Sequence, residues 1–445
     1  MTKILIFSQD VIGKSMAGPG IRSWEFSKAL AAGNEVTLAA PNQPDISHPD
    51  FTIMSYQHKR VASFMGDYDV IITQTITPAM AYLARRQHVR LILDAYDPIL
   101  LENLEIFRGL PLSKQRNKNR RTFVEMKLSL MFADAVICAS EKQRDLWLGS
   151  LMALDRITPA QYDNDVSLRS LIDVVPFGVQ NEEPEQTAPG FRHKLGIAKD
   201  DKVLLWGGGI WNWFDPLTLI RAVDVIKHQR TDVKLVFMGL KHPNDKVGEM
   251  QMARTAVDLA RELNLLDSTV FFNYGWVPYD ERQNHFLEAD IGVSTHFDHL
   301  ETRFSFRTRI LDYFWTKLPI VATQGDSMGD LIEAHHLGKT VEYEDVEALA
   351  QAIIEVLEDK AAAKKIDAGL TEIREIFRWN NVVSPIKDMV ASQSKLRSGG
   401  LAWSELRVIF SMYIFILQDV RADKGIFAVV SNIFIKIFKI IFRRT

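Results

Sequence analysis

The sequence predicts an α/β protein built from two doubly wound parallel sheets, one following the other along the chain. Three observations predict it. Short runs that are apolar throughout recur, such as Asp69-Val70-Ile71-Ile72-Thr73 and Arg90-Leu91-Ile92-Leu93-Asp94. Strands of this kind are covered on both faces, as in a parallel sheet. Amphipathic segments alternate with them, which is the rhythm of βαβ units. The alternation also runs twice, before and after a polar stretch, Gln180-Asn181-Glu182-Glu183-Pro184-Glu185, that ends in Thr187-Ala188-Pro189-Gly190.

In the first series, strands are expected at 3–8, 35–39, 69–73, 90–94 and 135–138. Helices are expected at 21–32, 78–86, 120–132 and 141–148. The second series begins near residue 200, with strands at 202–206, 233–238, 269–272, 290–294, 319–323 and 339–342. Its helices are expected at 216–229, 248–264, 280–287, 305–316, 329–336 and 345–358. Proline and glycine make the stretch between the series the linker. The expected domains are 1–185, 190–376, a crossover helix at 377–395 and a tail at 396–445.

A chain of 445 residues is too long for one ordinary core. Its apolar fraction of 47% and charged fraction of 24% are those of a globular protein. The net charge of −3 gives no reason to expect nucleic acid as a partner. Cys138 is the single cysteine, so an internal disulfide is excluded and no Cys/His cluster has zinc spacing. The N-terminal run Ile4-Leu5-Ile6-Phe7 is too short for a signal-peptide core. No apolar stretch reaches the roughly 18–20 residues that span a bilayer. The expected compartment is the cytoplasm.

Ligands on open parallel sheets bind outside the carboxyl ends of the strands, so chemistry is sought in the loops that follow them. After the first strand comes Ala17-Gly18-Pro19-Gly20-Ile21-Arg22. Gly18 and Gly20 permit close backbone approach, the helix start offers free N–H groups and Arg22 adds charge, so a phosphate site and a plain turn are both open. The loop lacks the G-x-G-x-x-G pattern of dinucleotide binding, which counts against NAD. After the strand ending at Asp94 comes Tyr96-Asp97-Pro98. Asp97 can orient or deprotonate a hydroxyl, or simply start a turn before Pro98.

The strand at 202–206 leads into Gly207-Gly208-Gly209-Ile210-Trp211-Asn212-Trp213-Phe214-Asp215-Pro216. Gly208 and Gly209 bring backbone close to a ligand, and Trp211 with Trp213 can stack on a base or sugar or fill an interdomain core. Asp215-Pro216 reads as a helix cap followed by proline at the first helical position. The richest segment, 295–313, follows the strand at 290–294. It holds His296, Glu301, Arg303, Ser305, Arg307, Arg309 and Asp312. Three arginines within seven residues at a helix start suit a diphosphate. Ser305, Arg309 and Asp312 recur at helical spacing and are expected on one face.

These residues resemble glycosyltransferase family 4, the group 1 type with the GT-B fold found in bacterial surface-polysaccharide synthesis. The resemblance covers about residues 1–390. It rests on Gly18-Pro19-Gly20, on Val175-Pro176-Phe177-Gly178-Val179, on the loop 207–209, on Cys138-Ala139-Ser140-Glu141-Lys142-Gln143-Arg144, and on Asp312 with Leu318-Pro319-Ile320-Val321-Ala322-Thr323. It implies two Rossmann-like doubly wound parallel-sheet domains facing across a cleft, with amphipathic C-terminal helices. It also implies sugar transfer from a nucleotide diphosphate sugar to a saccharide or lipid-linked acceptor, with retention and without a metal or other cofactor.

The family carboxylate that holds the donor ribose falls on Asp312, seven residues before Pro319. The family's other glutamate falls on Phe304, leaving Glu301 as the nearest carboxylate. The family Arg and Lys expected after the strand at 202–206 are absent from 210–216, and Arg303 and Arg307 are expected to supply that charge. Asp97, Glu301 and Arg307 are thus the catalytic candidates. The donor site is expected from Gly18, Gly20, Arg22, Gly208, Gly209, Trp211, His296, Arg303, Ser305 and Asp312.

In the tail, 406–417 is largely apolar and 426–442 is an apolar helix pattern with one polar stripe, Asn432, Lys436, Lys439 and Arg443. Such a helix lies in a membrane interface or packs on a protein partner. A second basic stretch, from Lys114 to Arg121, can support the same docking, bind an anionic acceptor or be a solvated loop. Together they imply peripheral attachment to the inner face of the plasma membrane. Two alternatives differ in kind: a degraded scaffold in a polysaccharide assembly complex, and a GT-B sugar-nucleotide epimerase.

Overall fold

The computed structural model describes residues 1–56, 64–244, 248, 250–392 and 405–410. Its first sheet comprises β1 (Lys3–Phe7), β2 (Glu35–Ala40), β3 (Thr52–Ser55), β4 (Val70–Thr73), β5 (Arg90–Asp94), β6 (Ala135–Cys138) and β7 (Ile172–Val174). The second comprises β8 (Lys202–Trp206), β9 (Val233–Phe237), β10 (Val270–Phe272), β11 (Ile291–Ser294), β12 (Ile320–Thr323) and β13 (Gly338–Val341). The orders are β3-β2-β1-β4-β5-β6-β7 and β10-β9-β8-β11-β12-β13. Every pairing is parallel, from Ile4 beside Val70 in the first sheet to Gly292 beside Ile320 in the second.

The strand order reverses between β1 and β4 in one sheet and between β8 and β11 in the other. Chains leaving those neighbours diverge to opposite faces and leave a crevice at the carboxyl edge. Tyr313 fixes that edge in the second sheet. Its hydroxyl accepts the Gly207 N–H at 3.0 Å and lies 2.9 Å from the carbonyls of Leu205 and Val293. Its ring lies against Gly292, where an added Cβ would meet it at 2.5 Å.

Among the described residues thirteen strands stand where the sequence predicts eleven. The two extra are β3, an edge strand whose ends are exposed, and β7, three residues long. Neither carries three consecutive apolar residues as β4 and β5 do. The helix predicted over 305–316 begins only at Arg309 (Arg309–Thr316), and a short helix that was not predicted, Leu300–Phe304, precedes it. Ser305 is extended between them (φ −75°, ψ 161°), so it does not share a helical face with Arg309 and Asp312. Asp215 caps Pro216–Ile226 by accepting the Thr218 N–H at 3.0 Å, as its position implied.

After the second sheet the chain returns to the first half. Phe377 and Trp379 bracket Val179, whose N–H donates to the Phe377 carbonyl at 2.7 Å and whose carbonyl accepts from Trp379 at 3.0 Å. Trp379 is buried with its ring 5.4 Å from Phe177 and 5.9 Å from Phe26. The helical residues 405–410 also meet this half, through Glu405 and Arg85 at 2.7 Å. The expected tail helix at 426–442, with Asn432, Lys436, Lys439 and Arg443, lies outside the described residues. So does most of the apolar stretch 406–417.

Candidate active site

A cleft of about 480 Å³ opens where the carboxyl edges of the two sheets meet. The first half contributes Gly18 and Pro19 after β1, and Tyr96 and Asp97 after β5. The second contributes the glycines 207–209 and Trp211 after β8, and Glu301, Ser305 and Arg307 to Asp312 after β11. Contacts across it join the halves: Asn244 donates to Asp10 at 2.7 Å, Trp276 to the Met16 carbonyl at 3.2 Å and Gln143 to the Phe304 carbonyl at 2.9 Å.

Several predicted residues meet here. Gly208 has φ +104°, a conformation only glycine adopts without strain, and it turns the loop under the cleft. Trp211 stacks on Trp213 with centroids 5.1 Å apart, and both line the cleft. Asp312 is held by Arg282, whose Nε donates to it at 3.0 Å. Burial raises the Asp312 carboxyl above its ordinary range, and Arg282 opposes the rise. Arg282 also stacks over Tyr279, 3.8 Å from the ring centroid.

Three further carboxylates converge in the cleft. Asp97 is pushed up to about 7, by burial first and then by the charges of Asp94 and Glu301, against a hydrogen bond from Tyr96. Glu102 is pushed well above the carboxylate range by burial and by Asp97 and Glu301. Glu301 accepts both Nη atoms of Arg307, at 3.2 and 2.9 Å. A carboxyl near pH 7 in a cleft has the affinity for protons that a general base needs.

Other predicted residues are placed differently. Arg22 is fully buried and spent on structure, giving two hydrogen bonds to Asp94 at 2.8 and 2.9 Å and others to the Val175 and Pro176 carbonyls. Gly20 sits beneath the helix start, where a Cβ would strike the Val11 carbonyl at 2.5 Å, and does not line the cleft. His296 is buried away from the cleft, Nε2 3.3 Å from Asp326, because the Phe214–His296 bridge turns it toward the cap of Ser327–Ala334. Arg303 is exposed over Phe304 and does not line the cleft. Arg307 lines it, but already paired with Glu301. Of the two arginines expected to supply the missing charge, only Arg307 reaches the cleft.

Arg309, one of the three arginines whose spacing suits a diphosphate, reaches the cleft although the resemblance gives it no role. It lines the cleft from the first residue of Arg309–Thr316, and its guanidinium lies 4.2 Å from the Trp206 ring centroid and 4.1 Å from that of Phe214. Glu102 and Arg282 were missed. Glu102 lies in a helix, Ile99–Ile106, that was not among the predicted elements, and Arg282 in a polar stretch with no glycine-rich or strand-end signal.

Residues 201–359 match the family model described as glycosyl transferases group 1. No curated protein matches the sequence significantly. Among solved structures, Anabaena Alr3699/HepE in complex with UDP-glucose is similar at TM-score 0.60 and 18% identity, over 89% of this chain and 100% of that one. WaaG, a glycosyltransferase involved in lipopolysaccharide biosynthesis, is similar at TM-score 0.62 and 13% identity, over 88% and 100%. Sucrose-phosphate synthase from Thermosynechococcus elongatus is similar at TM-score 0.57 and 18% identity, over 87% and 98%. At such identities the likeness is one of fold. The two sheets and the cleft between them define a protein of the GT-B class. Residues 201–359 are a group 1 glycosyltransferase domain within it, and the chain is a glycosyltransferase.

Proposed function

We propose that the chain transfers a sugar from a nucleotide diphosphate sugar to a hydroxyl of a saccharide acceptor, with retention of configuration and without a metal ion. The observation that carries this reading is the presence of Asp97 and Asp312 on opposite walls of one cleft. Asp312 stands at the donor-ribose position of the resemblance, beside the glycine-rich loop. Asp97 comes from the other half, where an acceptor would approach. In this reading guanidinium groups stabilise the departing diphosphate, and alignment supplies much of the remaining acceleration. A donor phosphate oxygen takes the acceptor proton while Asp97 orients the hydroxyl.

A neutral acceptor is supported by a second pocket of about 280 Å³ that shares Gln9, Tyr96, Asp97 and Ile99 with the cleft. Gln74, Thr75, Asn103 and Thr122 line it further, with Asp94 and Glu125 and no lysine or arginine. Amides, hydroxyls and carboxylates suit a neutral polyol and repel a phosphate. HepE in its complex holds UDP-glucose, which makes uridine the first base to try.

A second reading is favoured by Asp97 itself. A carboxyl held near 7 can deprotonate the acceptor directly, with attack from the face opposite the diphosphate and inversion. Incubation with UDP-glucose and a neutral saccharide, followed by proton NMR of the product anomeric signal, separates the two. Consumption of donor without transfer favours the epimerase, and no nucleotide binding at all favours the scaffold.

We also propose peripheral docking on the cytoplasmic face of a membrane. Helix Leu112–Phe132 exposes Lys114, Arg116, Lys118 and Arg121 beside Leu112 and Phe123. Each cation adds about 1 kcal/mol near an anionic surface. Among the described residues no helix is long and apolar enough to cross a membrane. Sedimentation with vesicles containing anionic lipid should carry down the wild type and spare a charge-reversed K114E/R116E/K118E variant. Equal sedimentation of both would remove this helix from the docking surface.

A further inference from the structure

Three arginines line the cleft: Arg282, Arg307 and Arg309. The first two are matched, by Asp312 and by Glu301. Among the described residues no carboxylate pairs with Arg309. Its side chain is 8% exposed. Nη2 donates to the Gly209 carbonyl at 3.0 Å, while Nη1 is buried with no acceptor. The rings of Trp206 and Phe214 lie against the guanidinium.

A buried cation with an unused donor is costly to hold. The aromatic contacts and the one carbonyl offset part of that cost. They leave a full positive charge in a dry wall of a cavity. The desolvation is strong enough to push the Arg309 guanidinium down to about 9, still protonated at neutral pH. Such a site is completed by an anion arriving from outside. Arg309 is tied to Gly209, the last residue of the glycine-rich loop, so the anion it meets is one that this loop would cradle.

We propose that Arg309 is the docking cation for the donor diphosphate, selecting a nucleoside diphosphate over a monophosphate. This rests on the transferase reading above. Arg309 acts by direct contact with the distal phosphate, in the ground state and on the departing group. The two rings, tilted 66° to each other, pack on adjacent sides of the guanidinium and spare the ordering that a flexible lysine would need.

The test is calorimetric titration of the full-length chain, wild type, R309K and R309M, with UDP, GDP, ADP and dTDP. The matching monophosphate and nucleoside of whichever base binds are then titrated. The wild type should bind the diphosphate at least tenfold more tightly than the monophosphate. R309M should lose that preference, weakening the diphosphate ten- to a hundredfold and leaving the nucleoside within about twofold; R309K should fall between. R309M should also melt no lower than the wild type without ligand, because it removes an unmatched buried charge, whereas loss of a merely structural arginine would lower the melting temperature. Unchanged diphosphate preference in R309M, or a fall in its ligand-free stability with preference retained, overturns the proposal and leaves the transferase reading intact. Failure of the wild type to bind any diphosphate overturns both.

Discussion

Arg282 holds Asp312 at 3.0 Å from the helix-turn segment beside it, and the same guanidinium lies over Tyr279. Tyr279 in turn meets Glu25 of the first half, 3.2 Å from its hydroxyl. The pair therefore sits where donor binding and contact between the halves coincide. Burial already raises the Asp312 carboxyl, and Arg282 is what opposes the rise. Removing the arginine should leave more of the carboxyl protonated and unable to accept from a ribose diol. Arg282→Met is expected to weaken nucleoside diphosphate binding about tenfold, with partial recovery as the pH is raised. Titrations at two pH values check it. A loss independent of pH would assign Arg282 to positioning alone.

Asp97 sets the pH dependence. With its carboxyl at about 7, kcat/KM should fall as pH drops below 7, because the protonated acid neither orients nor deprotonates a hydroxyl as the carboxylate does. Asp97→Asn should cost about 10²- to 10⁴-fold in kcat and abolish that limb of the profile.

The same shift has a stability sign. Between the unfolded pKa, about 4, and 7 the folded protein keeps a proton that the unfolded chain has lost, so stability declines as pH rises through this window. Asn carries no such deficit. Asp97→Asn should melt a few degrees above the wild type at pH 8, with the gap narrowing at pH 5. Scanning calorimetry at both values tests this.

Arg22 should behave as a structural residue. Arg22→Met leaves Asp94 buried and unmatched, which should cost about 3–5 kcal/mol in stability. The double variant Arg22→Met/Asp94→Asn should recover part of that. Folded Arg22→Met should bind nucleotide like the wild type, and a selective loss of nucleotide affinity would return Arg22 to the donor site.

The sheets were legible because parallel strands covered on both faces need an apolar centre, as Val70–Ile72 of β4 and Leu91–Leu93 of β5 provide. The edge strand Thr52–Ser55 escaped because an edge has no such requirement. In the site, glycine-rich turns and strand-end carboxylates led to Gly208, Asp97 and Asp312. What the spacing could not give was the sorting of arginines. Arg22, Arg303, Arg307 and Arg309 look alike in sequence, yet one is locked to Asp94, one is exposed, one is paired with Glu301 and one faces the cleft unmatched. That sorting depends on which distant carboxylates the fold brings near, and on the break at Ser305 that rotates Arg303 away from Arg309.

The most direct test of the central claim is thermal unfolding of the wild type and Asp312→Ala with UDP, GDP, ADP and dTDP, each with and without EDTA. A ligand at a hundred times its dissociation constant stabilises the native state by about 2.7 kcal/mol. The account expects a clear upward shift with one diphosphate, unchanged by EDTA and absent in Asp312→Ala. No shift with any of the four nucleotides would contradict it.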